Sequence, residues 1–203
     1  MTACLRRGCE TELHDVSGRG LARLGYQLFL CEQGGPEGAT STEPRGQVWL
    51  YRASKGELVR AAHLATLGES AKYYRAESFS LLGAEERVLG DKHVLRLEYR
   101  LSSSVGGGAM CGSHASDSTV AAFCVAEAEP DRACRVIVPL RTRLEFTPNP
   151  GCDVGQPAPV ATLGYRASLG PGWVDVTPVR PPADSGDASA GDPQGIAGRH
   201  ALW

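Results

Sequence analysis

Val94-Leu-Arg-Leu-Glu-Tyr-Arg-Leu101 alternates apolar and charged side chains without an error. Leu95, Leu97, Tyr99 and Leu101 take one face and Arg96, Glu98 and Arg100 the other, the period-two pattern of a strand with one side in water. The same arithmetic holds from Cys134 to Phe146. There Val136, Val138, Leu140, Leu144 and Phe146 share a parity with Thr142, while Arg135, Arg141, Arg143 and Glu145 share the other. Residues 119–127 form an apolar run before the acidic turn Glu127-Ala-Glu-Pro-Asp-Arg132. The two runs predict a hairpin with Cys124 and Cys134 on either side of its tip.

Working outward, residues 25–32 (GYQLFLCE) read as a short buried strand, closed by the turn-rich stretch Gln33 to Gly46. Gln47-Val-Trp-Leu-Tyr-Arg52, the turn Ala53-Ser-Lys-Gly56 and Glu57-Leu-Val-Arg-Ala-Ala-His-Leu64 give a second hairpin. A helix over 57–67 competes, since Ala61, Ala62 and Ala65 tolerate one; the hairpin is the reading taken. Trp49 and Tyr51 share the face opposite Val48 and Leu50, as a recognition patch or as core against a second sheet. Further strands fit Thr162–Ala167 and Trp173–Val179. The fold class expected is all-β: about eight to ten short antiparallel strands, as a sandwich, a partial barrel or propeller-like sheets.

One β-rich domain over residues 1–180 accounts for these strands. Between Pro181 and Gly195 there is no aromatic or β-branched residue. Such a stretch cannot bury enough surface to offset its ordering entropy, so 181–203 reads as a low-complexity, mostly disordered tail. Its last residues, ending in Leu202-Trp203, either dock on the body or fray.

The chain has 203 residues, with 21 basic and 23 acidic side chains, a 42% apolar fraction and a formal charge of −2. That composition is a folded protein's, with no basic surplus to attract nucleic acid and no apolar run long enough for a transmembrane segment. Only Lys55, Lys72 and Lys92 stand against 18 scattered arginines, which reads as base composition, not phosphate binding. Seven cysteines without a CxxC pair favour disulfides in an oxidising compartment over a zinc ribbon. The expected pairs are Cys124–Cys134 across the hairpin, Cys111–Cys152 at the loop ends and, by elimination, Cys9–Cys31, with Cys4 left over. Seven cysteines permit many other connectivities.

Met1-Thr-Ala-Cys-Leu-Arg-Arg7 carries no apolar signal region, so the expectation is an export signal upstream of it. The protein is then periplasmic, secreted or lipid-anchored through Cys4; a cytoplasmic location is the alternative. The partner class expected is another protein or a cell-envelope component.

Leu13-His-Asp-Val-Ser-Gly-Arg-Gly-Leu-Ala-Arg-Leu24, followed by Gly46-Gln-Val-Trp-Leu-Tyr-Arg52, resembles the DxDGDGxxDL loop and strand of FG-GAP/VCBS-type propeller repeats. The resemblance covers roughly residues 13–60, and no second copy is present, so a complete propeller is not expected. In that family the loop implies calcium held by aspartate oxygens. Carried over, Asp15 keeps the first ligand position, Ser17 offers a hydroxyl at the second, and Arg19 and Arg23 stand where carboxylates belong. Two guanidinium groups reverse the local field, so the turn is expected to survive without the metal, with an Asp15–Arg19 or Asp15–Arg23 ion pair in its place. A calcium module that retains Asp15 is the alternative.

Ser102-Ser-Ser-Val-Gly-Gly-Gly108 lacks the lysine and following hydroxyl of a P-loop. Cys111-Gly-Ser-His114-Ala-Ser-Asp117 has residue types useful for hydrolysis, or for zinc together with Cys124 and Cys134, but there is no G-x-S-x-G elbow. Catalysis needs such groups converging from a held geometry, which neighbours in one loop do not supply. His14, His63, His93 and His200 are isolated in sequence. The sequence therefore points to a non-catalytic exported β protein with no cofactor and a structural or binding role; a hydrolase or zinc enzyme at Cys111, His114 and Asp117 is a further alternative.

Overall fold

A computed structural model describes residues 13–32, 46–67, 78–105, 112–129, 132–148, 161–179 and 194–203. Twelve strands lie among them in three antiparallel sheets. The first sheet runs β1 (Leu13–Asp15), β2 (Tyr26–Glu32), β3 (Gly46–Ser54) and β4 (Glu57–Leu67) in that order. The second runs β5 (Ser78–Leu89), β6 (Lys92–Val105), β7 (Gly112–Val125), β8 (Cys134–Pro148) and β9 (Ala161–Leu163). The third is β10 (Tyr165–Gly170), β11 (Trp173–Pro178) and β12 (Gly198–Ala201). One short helix, α1 (Gly18–Arg23), interrupts the first sheet. No helix among the described residues is long and apolar enough to cross a membrane.

The all-β class is as expected, with more strands than the sequence suggested. β3 and β4 meet through the two-residue turn Lys55-Gly56, both with positive φ (51° and 82°). That is the mirror-image turn whose twist suits a hairpin, and glycine accepts it without strain. The competing helix over 57–67 is not formed. β7 and β8 make the predicted second hairpin, with Cys124 opposite Cys134 in register.

The middle sheet packs on both sides. Leu95, Leu97, Tyr99, Val120 and Ala122 join Leu28, Val48, Leu50, Leu64 and Leu21 of α1 in one buried cluster. Val94, Ala121, Phe123, Val125, Val136 and Val138 join Tyr165, Val174, Val176 and Leu202 in another. The pattern at 94–101 indicated one wet face, and Arg100 is exposed there. β7 explains the second core, because Val120-Ala-Ala-Phe-Cys-Val125 is apolar on both faces, the mark of a strand covered on both sides.

Of the two outcomes left open for the last residues, docking is the one seen. β12 pairs with β11, the Leu202 amide donates to the Gly172 carbonyl (2.9 Å), and the Leu202 side chain is 1% exposed. A four-residue strand and one well-placed leucine suffice to anchor a segment whose average composition is polar. The low-complexity stretch from 180 to 193 lies outside the described residues.

Next to it, Trp173 lies across its strand partner Gly170, where an added Cβ would stand 2.5 Å from the indole nitrogen. Arg199 sits 4.6 Å over the same ring and binds Asp175, which also accepts from the indole N–H. The Arg199 guanidinium holds the exposed Asp175 carboxyl below its ordinary range.

Candidate functional site

The stretch that resembles a calcium loop leads from β1 into α1. Its two non-arginine ligand positions face different ways. The exposed Asp15 side chain accepts a hydrogen bond from the Ser17 amide (2.9 Å), an Asx-type turn. Ser17 is only 3% exposed; its hydroxyl accepts from the Leu28 amide (2.7 Å) and donates to the Leu28 carbonyl (3.3 Å). The hydroxyl proposed as a second ligand is thus consumed by the backbone of β2. After Ser17 the chain forms a helix in place of an open loop, and Leu21 at its centre is fully buried. Arg23 is exposed on α1 and forms no ion pair with Asp15 among the described residues, so that expected pairing is corrected. The Arg19 side chain lies outside them.

The second candidate, Cys111–His114–Asp117, meets β7 with only part in view. Cys111 and the His114 side chain lie outside the described residues. Positions 114 and 117 are an odd number apart on an unbroken register, so they belong to opposite faces of the sheet. Asp117 is ion-paired with Arg100 at 3.3 Å. Cys124 and Cys134 are bonded to each other, which removes both thiols from any zinc set with Cys111 and His114. Of the glycine-rich segment, Ser102 to Val105 end β6 and the glycines lie outside.

All three cysteines among the described residues are in disulfides. Cys124–Cys134 has a Cα–Cα separation of 3.8 Å and spans the hairpin tip as predicted. Cys31 is disulfide-bonded as well. The expected pairs Cys9–Cys31 and Cys111–Cys152, and Cys4, lie outside the described residues. The hairpin tip also joins the first sheet, because the Ala133 amide donates to the Ala61 carbonyl (3.0 Å).

The densest array of recognition-type side chains is the outer face of the first sheet. Val48 and Leu50 point into the core, and Trp49 and Tyr51 point away from it. Phe29 meets Tyr51 edge to face at 5.4 Å, and His63 tilts against Trp49 at 4.8 Å. The Arg60 guanidinium lies 4.4 Å over the indole, within cation–π range. The indole N–H donates to the Gln47 amide oxygen (3.1 Å), and Thr66 Oγ1 lies 3.2 Å from His63 Nε2. No second sheet covers this face among the described residues, yet Tyr51 and Phe29 are buried, as the core reading expects, while Trp49 is half-buried and carries the polar rim.

Arg60, His63, Gln47 and Thr66 were not legible as partners of Trp49. An unbroken hairpin from the Lys55-Gly56 turn would place Trp49 opposite Ala62 and His63 opposite Val48. A register shift between Leu50 and Tyr51 instead sets Trp49 opposite His63, and a second, between Val48 and Trp49, sets Val48 opposite Ala65. A bulge re-aims side chains in this way, and it swings His63 from the core side to the aromatic side. An aromatic ring bordered by a guanidinium, an imidazole, an amide and a hydroxyl can stack on and hydrogen-bond a ligand. It contains no nucleophile positioned by a base.

Fold and site together define a disulfide-bridged all-β protein that carries an aromatic–cation cluster. Compared with protein-family models, curated proteins and solved structures, the chain has no match in any of the three.

Proposed function

We propose that this chain is a non-catalytic, extracytoplasmic β protein with a structural or binding role, and that it engages another protein or a cell-envelope component through the cluster around Trp49. The observation that carries the reading is the state of its cysteines: each one among the described residues is disulfide-bonded, which a reducing cytosol does not sustain. The aromatic–cation cluster supports the binding half, since rings rimmed by polar groups are enriched where proteins meet partners. In this reading the Asp15 loop is a vestige of a calcium-type motif.

Mass spectrometry of alkylated protein from fractionated native cells tests the proposal. Cys31, Cys124 and Cys134 are expected unalkylated, in an extracytoplasmic fraction. Recovery of the chain in the cytosol with these thiols alkylated overturns it.

A further inference from the structure

β5 forms one rim of the middle sheet. Its backbone pairs with β6 on one side, and among the described residues its other side makes no backbone hydrogen bond. An edge of unpaired N–H and C=O groups is a template for another strand. Proteins blunt such edges by keeping them short or covering them, yet β5 spans Ser78–Leu89 and is exposed over most of its length. Val88, at 61%, is the most exposed large apolar side chain among the described residues.

Two features bound the stretch that can accept a partner. The register with β6 skips Leu82, and the chain turns at Gly90, where φ is 66°. Gly83–Leu89 between them is unbroken, and its middle residue is Glu86. The longest antiparallel pairing of this stretch with itself is therefore centred on Glu86. That register sets Glu85 of each copy opposite Arg87 of the other, and Ala84 of each opposite Val88 of the other. Glu85 and Arg87 lie on the face of Arg96, away from the first sheet, and already bind one another within the strand at 2.7 Å. Positions two apart along a strand are about 6.6 Å apart, whereas directly opposed cross-strand positions have Cβ atoms about 4.5–5.5 Å apart. Self-pairing thus offers each charge a nearer partner. Sliding one copy by two residues sets Glu85 against Glu85 or Arg87 against Arg87, and sliding it by one mismatches the faces. The charge pattern and the length of the open stretch therefore select the same alignment. The adverse contact is Glu86 against itself on the axis, where His93 Nδ1 stands 3.3 Å from each carboxylate.

We propose that β5 is a homodimerisation edge: two copies of the chain join their middle sheets antiparallel through Gly83–Leu89, about a two-fold axis at Glu86. The interface is isologous, so each copy closes the open edge of the other and no further copy can add there. It lies on a different sheet from the Trp49 cluster and depends neither on the compartment nor on binding at that cluster.

Sedimentation velocity on the full oxidised chain, from micromolar to millimolar concentration, is the first test. A reversible dimer is expected, and a monomer throughout overturns the proposal. Hydrogen exchange on the same samples locates the contact. Amides within Gly83–Leu89 are expected to slow several-fold as concentration rises, and a dimer that leaves them unchanged overturns it. Glu85→Arg and Arg87→Glu then test the register. The two side chains are 47% and 56% exposed, so neither change reaches the core. Each variant alone sets like charges opposite one another and is expected to dimerise several-fold more weakly. An equimolar mixture is expected to regain the dimer, because the two variants complement each other across the axis. Single variants that dimerise as tightly as the unaltered chain, or a mixture no tighter than either variant alone, overturn the alignment. Glu86→Gln removes the like-charge contact and is expected to tighten the dimer; a looser one counts against the axis at Glu86.

Discussion

The Tyr99 hydroxyl on the middle sheet donates to the carbonyl of Leu64 on the first sheet at 3.1 Å. Leu64 is the residue that the register of β3 and β4 skips between His63 and Ala65, so a second bulge, next to the one that re-aims His63, lies at this carbonyl. Tyr99→Phe removes the bond and leaves a buried acceptor unpaired. A loss of about 1–2 kcal/mol is expected, read as a lower urea midpoint at unchanged slope.

Burial also pushes the Tyr99 hydroxyl well above its ordinary pKa, and Tyr26 moves the same way through burial and the nearby Glu86 carboxylate. Both are protonated in either state below pH ~10, so their contribution is complete there. As pH rises past that value the unfolded chain releases these protons first, and stability falls. Urea titrations between pH 8 and 11 are expected to show this decline, and a shallower one in Tyr99→Phe.

The hairpin cross-link closes a short loop, with a sequence separation of 10. Chain-entropy arithmetic for that length gives about 2–3 kcal/mol, so the Cys124→Ala/Cys134→Ala variant should lose roughly that amount on denaturant unfolding. Because Ala133 beside it bonds to Ala61, hydrogen exchange at the Ala133 amide is expected to accelerate more than at Val94.

Ser17→Ala strips the Leu28 amide of its acceptor in a buried setting, at an expected cost of about 1–3 kcal/mol by thermal or urea unfolding. With that hydroxyl turned inward, calorimetric titration of calcium into the full chain is expected to give no binding heat. Micromolar binding that disappears in Asp15→Ala would reverse the vestigial reading of the loop.

Leu202→Ala deletes a fully enclosed side chain two residues from the end. Burial in the second core predicts a loss of about 2–3 kcal/mol, where a frayed terminus would lose nothing measurable. The urea midpoint separates the two.

Much of the fold was legible because strands covered on one face advertise it. Leu95, Leu97 and Tyr99 against Arg96, Glu98 and Arg100 could be read in only one way, and the cysteines flanking the Glu127–Arg132 turn announced their own pairing. β5 escaped because it breaks its period: the register skips Leu82, so Phe79 and Leu81 fall in phase with Ala84, Glu86 and Val88 only after the bulge is counted. As the last strand of its sheet it is also exposed over most of its length, which dilutes any apolar signal. β12 was lost in a polar average.

The candidate site was half legible. Trp49 and Tyr51 stood out by parity, but the neighbours that give Trp49 its polar rim depend on two bulges that nothing in residues 46–67 marks. Ser17 was assigned as a ligand because its type and position fitted. Its real use, stitching α1 to β2, is a long-range relationship that spacing along the chain does not encode.

The sheet clad on both sides has a consequence for how the molecule opens. Val120 to Val125 lie in the layer whose two faces are covered by different clusters, and their amides face β6 and β8 of the same sheet. Slow exchange should therefore concentrate in the centre of the chain, with its protection approaching the global unfolding free energy. Damage to one leaf is shielded from the other by the layer between them.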